Sequence, residues 1–227
     1  VWLLLFVLLL LTYPLIIGKS GYFMTIFVMI MIYSIGAMAL NLLIGYGGQI
    51  SVGHAGFLAI GAYTAAILSS KFGFPFLVAL PLAGVVTGIV GLVIGLPAIR
   101  LSGQFLAVAT LGFGLSVPQL ALNWNTLTNG YSGLALSRPS LMASDSQFIY
   151  AVIIITIFIT WLLYNILKSR MGRAFVAIRE SEIAAQATGI DLSFYKTIMF
   201  VISAFFTGLA GGIGGQLNIL AWVKGVD

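Results

Sequence analysis

Cysteine is absent from the 227 residues, histidine occurs once, and charged residues make up only 7%. Without cysteine there is no disulfide, no thiolate nucleophile and no Cys-ligated metal. The single histidine, His54, leaves no His-rich metal site, so no metal site is expected. A soluble domain carries about 25% charged residues. With 61% of the chain apolar and so little charge, a water-facing surface could not be covered, and the surrounding solvent is read as lipid. No G-x-x-x-x-G-K-[ST] run is present, so the chain cannot itself cradle ATP phosphates. There is no Ser/His/Asp set, and the few acids lie in loops or at the end. The paired intramembrane carboxylates of a proton relay are also missing. The net charge of +5 does not point to nucleic acid, because the basic residues sit in short breaks between apolar runs, where they set membrane topology.

What remains is a series of apolar runs. A membrane crossing takes roughly 20 apolar residues. Seven candidate spans follow: 1–17, 22–45, 50–69, 75–96, 104–122, 148–167 and 195–223. The first lacks the basic stretch and small-residue cleavage site of a signal peptide and reads as a membrane helix. The second contains no charge at all. The third follows Gly45, Gly47 and Gly48 and carries Gln49, Ser51 and His54 near its start. It either crosses intact or is broken or partly re-entrant, the latter only where protein or a water cavity covers the freed backbone. The fold class is therefore all-α, a polytopic integral membrane protein of about seven transmembrane helices. Residues 1–227 read as one transmembrane domain. Because Val1 comes first and the last four residues follow directly on an apolar run, the chain is read as a fragment of a longer one.

The connections differ in kind. Residues 123–147 form a long polar loop rich in Asn, Ser and Gly. Residues 168–194 are the most charged part, with Lys168, Arg170, Arg173 and Arg179 against Glu180, Glu182 and Asp191. The positive-inside rule places 168–194 in the cytoplasm. Counting back, 97–103 with Arg100 is also inside and 123–147 is outside. The stretch RMGRAFVAIRESEIAAQATGID at 170–191 has no proline, a partly apolar face and a terminating Gly189, which predicts a short helix lying between two spans. On composition it is either an interfacial helix on anionic lipid or a docking knob for a cytoplasmic partner.

Small residues recur at helical spacing. Gly84, Gly88, Gly91 and Gly95 share one helix face, as close packing in lipid requires. Gly208, Gly211, Gly212 and Gly215 are denser and serve packing, a hinge or an unwound stretch. His54 is either a satisfied polar group or a contact along a solute path, and Asn41, Gln49 and Ser51 are candidates for the same path. A path without stranded charge suits a zwitterionic or uncharged solute.

The run EIAAQATG at 182–189 resembles the E-A-A-three residues-G loop of ATP-binding-cassette importer permeases. Ala184, Ala185 and Gly189 match in spacing; Ile183 stands where the pattern has Glu, and the acid lies one place earlier at Glu182. In that family the loop forms a coupling helix seated in a groove of the ATPase subunit. The resemblance gives Arg173, Arg179 and Glu180 the role of rim ion pairs. A second stretch, NLLIGYGGQISVGHAGFLAIGAYT at 41–64 with its core GQISVGHAGF at 48–57, is similar to branched-chain amino-acid permeases of the LivM type. The loop TNGYSGL at 128–134 resembles the outer Gly-rich loop of the same family. Permeases for urea and short amides share these motifs.

The resemblance implies a non-enzymatic permease subunit in a prokaryotic cell membrane, importing branched-chain amino acids by alternating access. Its implied partners are a second related permease subunit, two cytoplasmic ATPase subunits holding ATP and Mg, an extracytoplasmic solute-binding protein and membrane lipid. The rival reading is a passive channel for small neutral solutes, for which the charged loop at 168–194 has no obvious use.

Overall fold

The computed structural model describes residues 21–98, 103–132, 134 and 145–215. Among them every regular element is helical. Helix α1 covers Gly21–Asn41 and passes directly into a π-helical turn, Leu42–Tyr46. Then come α2 (His54–Ser70), α3 (Phe76–Ala98), α4 (Gln104–Asn123), the short α5 (Asn125–Thr128) and a 3₁₀ turn at Gly130–Ser132. Helix α6 (Asp145–Lys168), α7 (Arg170–Glu180), α8 (Glu182–Ala187) and α9 (Leu192–Gly215) complete the described part.

Among the described residues five stretches are long and apolar enough to cross a membrane: Thr25–Tyr46, Phe76–Pro97, Gln104–Asn123, Gln147–Lys168 and Leu192–Gly215. The chain is an all-α, polytopic membrane protein. The expected span at 1–17, the loop with Arg100 and the residues of 195–223 beyond Gly215 lie outside the described residues. The expected span at 50–69 takes its broken form. Residues 47–53 are not helical, and α2 has only 17 residues. At 1.5 Å per residue it is about 25 Å long, short of the ~30 Å hydrocarbon thickness. The glycines at 45, 47, 48 and 53 bracket the break.

Helix α9 is the hub, packing on α3, α2 and α1, while α6 packs on α1 and α4 on α2. Small residues on α9 set these distances. A Cβ at Gly211 would fall on the Leu58 carbonyl of α2, and one at Gly61 on the Gly208 backbone, so the α2–α9 crossing is backbone on backbone. Gly215 lies on Ala62 by the same crossing, and Gly212 sits against Leu80 and Ala65. Across the other groove Gly84 faces Leu209 and Phe205, Gly88 faces Phe205, Gly91 faces Ala204 and Gly95 faces Phe200. The glycine-dense stretch of α9 is α-helical through Gly215.

Large apolar side chains that this packing leaves outside, such as Ile89, Val93, Phe105, Val108, Leu115, Ile154 and Phe158, form the lipid-facing surface. The bundle has two distinguishable ends. At one, Lys71 Nζ donates to Thr126 O at 2.6 Å, tying the end of α2 to α5. At the other lie α7, α8, the π-helical turn and the start of α9.

Candidate functional site

The break between α1 and α2 has a local cause. A Cβ at Gly45, in the π-helical turn, would meet the end of the exposed Asn41 side chain, which would have to swing aside. Gly48 follows with φ 65°, a left-handed conformation that favours glycine. Backbone groups freed in lipid must find partners, and several of this linker do. Gly48 N donates to Ile44 O and Gln49 N to Leu43 O, both at 3.1 Å. Val52 N donates to Thr110 Oγ1 of α4 at 3.0 Å, and Gly56 N to Gly53 O at 2.9 Å.

The linker and the start of α2 carry a polar cluster into the bundle. His54 Nδ1 lies 3.0 Å from Ser51 Oγ, and His54 Nε2 lies 2.7 Å from Ser203 Oγ of α9. The Ser203 hydroxyl donates to Ala39 O of α1 at 2.7 Å. A hydroxyl has one hydrogen. Since Ser203 gives its hydrogen to Ala39, the imidazole must donate from Nε2, while Nδ1 faces the Ser51 hydroxyl. The network thus places a hydrogen on Nε2. It also joins α1, α2 and α9 at one point. Ser203 is eleven positions into α9, so at 1.5 Å per residue the cluster lies about 16 Å along that helix.

Gln49 is buried at 7% exposure, and among the described residues neither its amide nitrogen nor its amide oxygen has a hydrogen-bond partner. Buried polar groups are otherwise almost always partnered. Asn41 is the outlier of the four path candidates. It ends α1, is exposed, and lies against Gly45 rather than with Ser51 and His54.

The second region is the loop 168–194. Ser169 caps α7, accepting from Met171 N at 3.1 Å. Ala174, Phe175 and Ile178 bury one face against the bundle, whereas Arg170, Arg173, Arg179 and Glu180 are exposed. Sequence spacing predicts one helix across this loop; the structure has two. Ser181 is extended (φ −161°, ψ 113°) and its side chain accepts from Ala184 N at 3.2 Å, capping α8. A serine hydroxyl that caps a new helix competes with continuation of the old one. Helix α8 ends in a Schellman motif: Gly189 N donates to Gln186 O at 3.0 Å, Ile190 N to Ala185 O at 3.1 Å, and Gly189 has φ 85°. Ala185 anchors α8 at 2% exposure, Ala184 is exposed, and Ile183 stands out at 83%.

Several charged residues of this loop are engaged within the chain. Glu182 pairs with Lys196 of α9 at 2.8 Å. Arg179 Nη1 donates to Gly45 O at 2.6 Å, while its Nε and Nη2 hold Glu180 at 3.2 and 2.5 Å. Arg173 Nη1 reaches Lys168 O at 3.4 Å. Sequence reasoning missed four participants: Ser203, Thr110, Lys196 and the Gly45 carbonyl. The first three are polar residues isolated in or at the head of apolar helices, a visible signal. The fourth is backbone and left none.

A lipid-facing helical bundle with one interrupted crossing, polar side chains at depth and an amphipathic two-helix loop at one end defines a polytopic membrane protein of transport type. A family model described as branched-chain amino acid transport system / permease component matches residues 22–222. Over 211 residues the chain is 35% identical to the high-affinity branched-chain amino acid transport system permease protein LivM of Salmonella typhimurium, covering 81% of this chain and 50% of that protein. Against LivM of Escherichia coli it is 34% identical over 209 residues, covering 80% and 49%. The chain spans about half the length of these curated relatives. No solved structure matches it. The chain belongs to the family of permease components of branched-chain amino acid transport systems.

Proposed function

We propose that the chain is the membrane-spanning permease subunit of an ATP-binding-cassette importer for branched-chain amino acids in a prokaryotic cell membrane. The observation that carries this reading, beside family membership, is the apolar tip of α8. Ile183 is 83% exposed on a helix at the charged end of the bundle, which the positive-inside rule assigns to the cytoplasm. A large apolar side chain held in water on a capped, anchored helix fits a groove on another protein. Beside it an open cleft of about 470 Å³, lined by Glu182, Gln186, Gly189, Asp191 and Lys196 among others, gives the surface relief.

In this reading two ATPase subunits, which hold ATP and Mg, grip α8. A sister permease completes the pathway, and an extracytoplasmic binding protein delivers the solute. Nucleotide binding moves α7 and α8, and the bundle alternates between outward-open and inward-open states. Binding sites of such transporters lie near the bilayer midplane at interrupted helices, a description that suits the linker 47–53 with Gln49, Ser51 and His54. No charge is stranded there, which suits a solute that is zwitterionic with an apolar side chain.

Ile183→Asp and Ala184→Trp test the docking. Each variant is co-expressed with the partner subunits, and the ATPase co-purified in detergent is measured. Loss of the ATPase with retention of the sister permease is expected. If the ATPase stays bound in both and transport is unchanged, the assignment of α8 is wrong.

A further inference from the structure

We infer that Arg179 is a positioning residue that transmits movement of the α7–α8 unit to the unwound linker ahead of α2; this rests on the permease reading above. Gly45 lies in the π-helical turn that ends α1. The last carbonyls of a helix have no partner within it and carry the negative end of its dipole. The Arg179 guanidinium, coming from another element, caps one of them at 2.6 Å. Its Nε and Nη2 both face Glu180 Oε1 on the same helix, an exposed ion pair.

The contact continues past the guanidinium. A Cβ at Gly48 would stand 3.0 Å from Arg179 Cγ and 3.6 Å from its Cα, so the aliphatic stem lies directly on the linker backbone where φ is positive. One side chain of α7 therefore grips the linker at two points, Gly45 and Gly48. Gln49, whose buried amide has no partner among the described residues, is the next residue, and Ser51 and His54 follow within six. Helix α8, which presents Ile183, joins α7 through Ser181 alone. One route from α8 to the polar linker thus runs through Ser181 and the Arg179 side chain. The other tether of the loop, Glu182 to Lys196, leads into α9, which meets the linker separately through Met199 at Gly47 and Ser203 at His54.

The test uses the assembled transporter in proteoliposomes, with binding protein and its amino acid present, and compares Arg179→Ala, Arg179→Lys and Arg179→Gln. Three quantities are read: ATPase subunits retained, ATP hydrolysed, and solute imported per ATP. A transmitting residue predicts full ATPase retention in Arg179→Ala, continued hydrolysis, and at least a tenfold fall in solute per ATP. The half-saturating concentration of loaded binding protein should not change. Lysine, which keeps a cationic donor for the Gly45 carbonyl, should recover most of the ratio; glutamine should not. Unchanged import per ATP overturns the proposal. So does loss of the ATPase subunits from Arg179→Ala while wild type retains them, since Arg179 would then be part of the docking surface. Should the alanine variant not assemble, equal ratios for Lys and Gln overturn it and a higher ratio for Lys supports it. A wild-type chain that binds no ATPase removes the permease reading itself, a result separate from these.

Discussion

Replacing Gln49 with methionine should stabilise the folded chain while impairing transport. A glutamine amide has two N–H donors and a carbonyl acceptor. At 7% exposure water does not serve them, and no protein group among the described residues does. An unsatisfied buried polar group costs about 1–3 kcal/mol. Methionine has nearly the same length and volume and no strong hydrogen-bonding group, so it removes this cost without opening a cavity. Gln49→Met should therefore gain roughly 1–3 kcal/mol. Gln49→Glu should lose several, because an unpaired buried carboxylate is far more expensive than an amide.

The assay is unfolding in a mild detergent, followed by denaturant titration or by the melting temperature, for wild type, Met and Glu side by side. Import should fall at least tenfold in the methionine variant if the amide is held unpartnered for a solute. Such opposition of stability and function marks residues kept for activity. If methionine destabilises the chain by more than about 1 kcal/mol, the amide has a structural partner in the working protein and the reasoning fails. Higher stability with unchanged import would refute the solute contact but leave the energetics standing.

Ser203→Ala removes the acceptor of His54 Nε2–H and should cost about 1–3 kcal/mol. In a double-mutant cycle with His54→Phe, the coupling should be 0.5–3 kcal/mol in order of magnitude, and additivity would refute the hydrogen placed on Nε2. Gly211→Val places a branched side chain on the Leu58 carbonyl and should force α2 from α9. A loss of at least about 1–3 kcal/mol, seen as a lowered melting temperature, is expected, and wild-type stability would show that the crossing is not close. Gly189→Ala puts a Cβ at φ 85° and should weaken the cap of α8 by about 1–2 kcal/mol. Hydrogen exchange over 182–190 should accelerate without change in α7, and uniform protection would contradict the Schellman assignment.

The crossings were legible because the signal is cumulative: some twenty apolar residues in a row specify a span whatever their order. The second apolar run, free of charge from 22 to 45, became α1 and its π-helical turn. The break at 47–53 announced itself through three glycines and three polar residues, but its form did not. That form depends on the Asn41 side chain filling the space beside Gly45 and on Thr110 lending a hydroxyl from fifty-eight residues away. The single helix expected at 170–191 became two because Ser181 caps α8, a choice settled by one hydroxyl that helical periodicity does not weigh. The charges of the same loop were read as facing outward to a partner. Their distances put Glu182 on Lys196 and Arg179 on Gly45, pairings across sequence separations that no local pattern encodes.

Those long-range partners also explain why a break is tolerated. In lipid the unwound residues 47–53 depend on borrowed hydrogen bonds. Thr110 on α4 supplies one, and the π-helical turn supplies two through Leu43 and Ile44. That turn is in turn capped by Arg179 on α7, while Ser203 on α9 and Ser51 hold the histidine that opens α2. The supports of the break thus come from α4, α7, α9, the π-helical turn and the linker's own Ser51. A shift of α7 relative to α4 and α9 cannot leave all of these bonds intact, so the linker must rearrange whenever the bundle does. An uninterrupted helix would satisfy its own backbone and could ride such a shift unchanged. On the permease reading proposed above, the interrupted crossing converts relative motion of its neighbours into a change at Gln49, Ser51 and His54.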